Sequence, residues 1–201
     1  MKDTVETLNS YVTDMLALEE HIKKAIAGQI ADLEKYPTVK RELEAFHGTI
    51  EGHITTLQGL ARNKGGKGPA DIIKEAGSTV LGLAAGAIDL VRTESLPKNL
   101  RDDYTAFSLA NIGYVMLHTT ALTFGDRNVA EVAHRHLSDY ARAVMMLNNV
   151  IPAAVVQFFK EEGLAVNESA LDEINRNIEE VWHQPSGSST GAANLGNTWQ
   201  K

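Results

Sequence analysis

Residues 12–63, VTDMLALEEHIKKAIAGQIADLEKYPTVKRELEAFHGTIEGHITTLQGLARN, decide the fold. Val12, Met15, Ile22, Ile26 and Leu33, with Leu8 ahead of them, recur at three- and four-residue spacing with charges between them, the periodicity of an amphipathic helix. This predicts a first helix from about Thr4 to Tyr36. Pro37 marks a turn. A second helix follows at once on Leu43, Phe46, Ile50, Leu57 and Leu60, and Asn63-Lys64-Gly65-Gly66 stops it. So short a connection makes the two helices antiparallel neighbours.

The same periodicity continues outward. Residues 69–92 (PADIIKEAGSTVLGLAAGAIDLVR) are apolar, small and interrupted by glycine, and are read as one or two crossover helices. A third helix is expected after Pro97 on Phe107, Ala110, Tyr114, Leu117, Ala121 and Phe124, ending at Gly125-Asp126. A fourth begins near Asn128 on Ala133, Leu137, Tyr140, Val144, Leu147 and Ile151. Pro152 should kink or break it, because proline removes a helical hydrogen bond. A last amphipathic helix from about Glu168 uses Leu171, Ile174, Ile178 and Val181, with Asn167 or Ser169 as its cap. The tail 184–201 is rich in Gly, Ser and Asn and is expected to be disordered, which leaves residues 1–183 as one helical domain. No strand pattern is present. Two antiparallel hairpins joined by a crossover give an all-α, ferritin-like up-down four-helix bundle, with an extra C-terminal helix.

Composition narrows the function classes. The 201 residues are 43% hydrophobic and 22% charged, enough for one sizeable core, and carry a formal net charge of -7. That sign argues against nucleic acid or an anionic membrane as partner, since both need a positive surface. The absence of cysteine removes thiol catalysis, disulfides and thiolate metal sites. MKDTVETLNSYV has no apolar leader, and no run of about 18 apolar residues is found, so a cytoplasmic protein is expected.

The polar residues on the apolar stripes carry the chemistry. Extending the first stripe through Met15 and Ile22 reaches Glu19, and extending the second through Ile50 and Leu57 reaches His53. Each lies about 17 residues from the turn near residue 36, so at a common rise per residue they meet at one level. A buried carboxylate facing an imidazole is either half of a carboxylate-bridged metal site or a structural pair that satisfies itself. The same count places Ala110 and Ala143 or Val144 opposite, with Tyr140 a turn away, and none of these binds metal. Asp139 is the one nearby carboxylate. On this count the metal ligands are Glu19, His53 and Asp139, an incomplete set, with iron or manganese the cofactor if the site is functional.

Other matches are weaker. Glu44–His47 and Glu131–His134 are literal Glu-x-x-His pairs, but each sits one position off its stripe and reads as a solvated face. His118 and His136 flank the third turn and are candidates for a shallower pair, with surface positions the commoner case. ARNKGGKGP has the glycines and lysines of a phosphate loop without its Ser/Thr or a preceding strand, and reads as a helix stop. Tyr114 and Tyr140 are read as core tyrosines with one hydrogen bond each.

Residues 12–73, with Ile50-Glu51-Gly52-His53 at the centre of the second helix, together with NIGYVMLHTTALTFGDRNVAEVAHRHLSDYARAVMML (111–147), resemble the YciE/YciF-type ferritin-like stress proteins. The resemblance covers about residues 8–150. It implies a ferritin-like, stress-associated protein that dimerises. It matches Glu19 to the family's first-helix acid, His53 to its second-helix polar position, Tyr114 to its third-helix tyrosine and Asp139 to a fourth-helix acid. Ala110 and Tyr140 stand where further acids are expected, so a member that has lost ligands is implied. The expectation is therefore a non-catalytic or weakly metal-binding bundle with a degenerate di-metal site that works as an oligomer, a homodimer. The alternative is a carboxylate-bridged di-iron or di-manganese oxidase or ferroxidase. The tail offers a docking peptide for a partner.

Overall fold

A computed structural model describes residues 3–63 and 96–183. Among these it is helical throughout, without strands: α1 spans Thr4–Ile30, α2 Pro37–Asn63, α3 Leu96–Thr123, α4 Arg127–Glu161 and α5 Leu171–His183, the last preceded by a 3-10 turn at Glu168–Ala170. The proposed crossover 69–92, the glycines that stop the second helix and the tail 184–201 lie outside the described residues. By internal contacts the chain divides into two units, residues 1–166 and 167–201. In the second, Asn167 caps the 3-10 turn by accepting from the Ser169 amide at 3.2 Å, as the cap reading anticipated.

In the first unit, α1 packs on α2 and α3, and α4 packs on α3 and α2. Their apolar stripes meet in one core in which Ile22, Ile50, Leu57, Phe107, Leu117 and Leu147 are fully buried. Ring contacts give the directions. Phe46 meets Phe107 at 4.7 Å and, seven residues on in both helices, His53 meets Tyr114 at 6.3 Å, so α2 and α3 run parallel. Asn63 and Leu96 therefore lie at opposite ends of the core. Gly113 lets α1 approach α3 closely, because a Cβ there would come within 2.6 Å of the Met15 sulfur.

Three boundaries differ from expectation. The first helix ends at Ile30, and residues 31–36 form tight turns, with the Tyr36 amide donating to the Leu33 carbonyl at 3.0 Å. Pro37 disfavours helical backbone at the residue before it, and its own missing N–H costs nothing in the first turn of α2. Likewise Pro97 sits inside the first turn of α3. Pro152 does not break α4, which continues to Glu161 with Leu147 and Ala154 buried on either side of it. An 18-residue window of α4 has a mean hydropathy of 1.3, so by length and composition alone this helix is apolar enough to cross a membrane. Phe124, counted in the third stripe, is exposed.

The two hairpins are also tied by a polar contact: Gln29 Nε2 donates to Asp103 Oδ1 at 2.8 Å. Asp103 is 4% exposed, and its second oxygen and the Gln29 carbonyl both lack a partner. Burial first, opposed by the Gln29 hydrogen bond and aided by Asp102, pushes the Asp103 carboxyl up to about 7. A raised carboxyl contributes stability that is complete below pH 3.8 and lost as pH rises through about 7. Asp103→Asn is expected to flatten the stability profile over that interval and to unfold later than the parent in urea at pH 8; equal urea midpoints at pH 8 would refute the assignment.

Candidate functional site

Glu19, on the inner stripe of α1, is 0% exposed. A carboxylate so placed is costly unless it is hydrogen-bonded, and each of the other three long helices supplies a donor. The Tyr114 hydroxyl of α3 donates to Oε1 at 2.5 Å, and the Tyr140 hydroxyl of α4 donates to Oε2 at 2.7 Å. His53 of α2 places Nδ1 3.0 Å from Oε1. Its other nitrogen, Nε2, is 3.0 Å from Asp139 Oδ2, and Arg142 donates to the remaining oxygen of Asp139.

Since both ring nitrogens of His53 face carboxylate oxygens, both must carry protons for the two contacts to be hydrogen bonds. Burial alone lowers the pKa of this imidazole, but hydrogen bonds and charge from Glu19 and Asp139 outweigh it and leave it raised. His136 behaves in the opposite way. Burial, the charge of His53 and that of Arg135 lower its pKa to about 3, so the ring is neutral. Tyr114 has only one proton, already given to Glu19, so His136 Nδ1 donates to the Tyr114 oxygen at 3.0 Å. The neutral ring stacks on the charged one, with centroids 3.7 Å apart and 14° between planes.

Charge balances within the cluster, two carboxylates against one imidazolium and one guanidinium. Phe46 and Phe107 close over Tyr140 with ring centroids 5.2 and 5.9 Å away, which keeps the inner end apolar. Tyr114 and Tyr140 are pushed well above 10, by burial first and then by the charge of Glu19, so both phenols remain donors. The pH signs oppose one another. His53 contributes stability that is complete below pH 6.5 and lost as pH rises through its raised folded value. His136 contributes stability that is complete above pH 6.5 and lost as pH falls toward about 3.

The structure thus brings together Glu19, His53 and Asp139, all expected from the sequence. It also brings in Tyr114, Tyr140 and His136. Ala110 and Val144, the expected opposite level, are buried too, but the cluster sits about one turn nearer Gly125. His136, for which a surface position was the commoner case, is buried and stacks on His53 rather than pairing with His118. Its signal was available, since it lies three residues after Ala133 and four before Tyr140 and fits the stripe better than half-buried Leu137. Glu44 and Glu131 are exposed, as the face reading required, and Glu51 is exposed and paired with Lys23 at 3.5 Å.

Glu19, His53 and His136 each present a ligand atom within 4.8 Å of the others, so the trio is a candidate for one metal ion. A carboxylate-bridged dinuclear centre does not fit. It requires a Glu from each of two helices and Glu-x-x-His from each of the other two, whereas the cluster offers two carboxylates and two imidazoles, and phenols stand in the remaining positions.

No family model matches the sequence, and no curated protein does. Among solved structures, a protein from Xanthomonas campestris matches with a TM-score of 0.67 and 22% identity over 81% of this chain and 100% of the other. At that identity the likeness concerns the fold alone, and the class it supports is an all-helical protein.

Tyr140→Phe should leave a core carboxylate oxygen without a donor and reduce stability by about 1–3 kcal/mol. Urea unfolding checks this, and a midpoint equal to the parent's would mean that the hydroxyl is not part of the network.

Proposed function

We propose that the chain is a ferritin-like bundle of the YciE/YciF type, cytoplasmic and stress-associated, in which a self-satisfied hydrogen-bond network occupies the place of a dinuclear metal centre. On this reading it is not an oxidase or ferroxidase and acts as a homodimer through its helical surfaces. The observation that carries the reading is the state of Glu19: both oxygens already accept phenol protons, and its imidazole neighbour is protonated and shared with Asp139. A metal ion needs deprotonated ligands, so binding here must expel the His53 proton and displace donors that the core has just supplied. The parallel course of α2 and α3 supports the topology, since a chain that ends one helix at the far side and begins the next at the near side must cross over.

The outer face of α3 supports the dimer. Leu109, Ile112, Val115, Met116 and Leu122 are exposed, and no Asp, Glu, Lys or Arg occurs between Tyr104 and Gly125. Contiguous apolar surface of this kind marks association sites, and an uncharged face is compatible with a second copy of itself. Ile112→Lys is expected to give a monomer in sedimentation analysis where the parent is a dimer; a parent that is monomeric, or a variant that remains dimeric, would remove this face from the proposal.

The metal reading is tested by loading purified protein with iron or manganese in air and comparing it with Glu19→Gln. Metal specific to the core is the amount lost in the variant, and little loss is expected. A pair of ions per chain that disappears in Glu19→Gln would overturn the degenerate site and restore the dinuclear oxidase.

A further inference from the structure

Outside the core, at the Gly125 end of the helices, His118 of α3 and His134 of α4 face each other with ring centroids 5.6 Å apart and planes at 46°. His118 Nδ1 lies 2.9 Å from the Ala130 carbonyl. A carbonyl only accepts, so Nδ1 carries the proton and Nε2 of the neutral ring keeps its lone pair. Histidine ligands of metals are commonly held in this way, the far nitrogen donating to a backbone carbonyl while the near one binds. Both rings line one surface pocket of about 390 Å³, together with Glu131, Arg127 and Arg135.

The ring separation suits a shared ion. With metal–nitrogen bonds of about 2.0–2.1 Å, each ring centre lies about 3.2 Å from the metal, and tetrahedral to trigonal angles then put the two centres about 5.2–5.6 Å apart. Glu131, three residues before His134 on α4, is on the same face and exposed, but its carboxylate does not lie at ligand distance from both rings and must turn toward them to take a third position.

We propose that His118, His134 and Glu131 form a surface site for one divalent transition-metal ion of the zinc class. Three protein ligands leave a fourth position open in the pocket. Arg127 and Arg135, which also line it, favour an anionic occupant there, such as hydroxide, chloride or a carboxylate. The inference does not depend on the state of the core cluster, whose two histidines, His53 and His136, are buried.

The test uses the full chain titrated with zinc by calorimetry and with cobalt by visible absorption, in the parent, His134→Ala, Glu131→Gln and Glu19→Gln. One zinc per chain at this site and the bands of tetrahedral cobalt are expected in the parent and in Glu19→Gln. Affinity should fall by roughly tenfold or more in His134→Ala and by less in Glu131→Gln, both exposed positions whose replacement leaves helicity unchanged. Cobalt bands that survive in His134→Ala would overturn the site. So would a pocket that responds to inorganic phosphate in imidazole NMR spectra but not to zinc.

Discussion

The structure depends on one constraint: a carboxylate in the middle of an apolar core must have its acceptors filled. Glu19 on α1 is met by His53 of α2, Tyr114 of α3 and Tyr140 of α4, so each long helix of the first unit contributes one group to one point. Apolar stripes with a repeat of three and four residues tolerate sliding by a turn, since one leucine replaces another at the interface. The carboxylate does not tolerate it. Moving any of the three partner helices by one turn would strand at least one oxygen of Glu19 or one buried donor, at a cost of about 1–3 kcal/mol each. Register is thus set by the polar contacts, and the apolar ones supply the bulk of the burial.

This division explains what could be read from the sequence. Helix positions, hairpin pairing and the inward direction of Glu19 and His53 follow from periodicity, and Asp139 was the correct neighbouring acid. The level at which the second hairpin meets the first does not follow from it. Counting the same number of residues from residue 36 and from Gly125 assumes that both tight turns lie at one end, but α2 and α3 run parallel and put them at opposite ends. Measured from the shared end, His53 lies ten residues before the end of α2 and Tyr114 nine before the end of α3, so Tyr114 rather than Ala110 is its partner. His136 escaped for a different reason: a position between Ala133 and Tyr140 fits the stripe, but a charged or half-charged imidazole is expected at a surface. Burial itself, then the charges of His53 and Arg135, keep the ring neutral, and Tyr114 accepts its one N–H. Neither condition is local in sequence.

The contact between Gln29 and Asp103 shows the contrast with an incompletely satisfied pair. There a single hydrogen bond ties the hairpins while two buried oxygens remain without donors, and the carboxyl responds by holding a proton up to about pH 7. Glu19 meets the same burial with three donors converging on its two oxygens. Two acids in one core therefore answer desolvation by different routes, one by neutralisation and one by partners.

The same accounting separates the two places where a metal is chemically conceivable. Ligand strength depends on lone pairs that are free before the ion arrives. In the core, Glu19 has spent its lone pairs on phenols and His53 has spent its own on protons shared with two carboxylates, so an ion must first undo an arrangement that already balances charge and hydrogen bonding. At the surface, the Ala130 carbonyl holds the proton of His118 on the nitrogen that faces the backbone, and Glu131 and His134 are exposed beside Arg127 and Arg135. The better-formed cluster of ligand types is therefore the poorer metal site. Proximity of histidines and carboxylates in a helical core measures how well they satisfy one another as much as how well they would hold an ion.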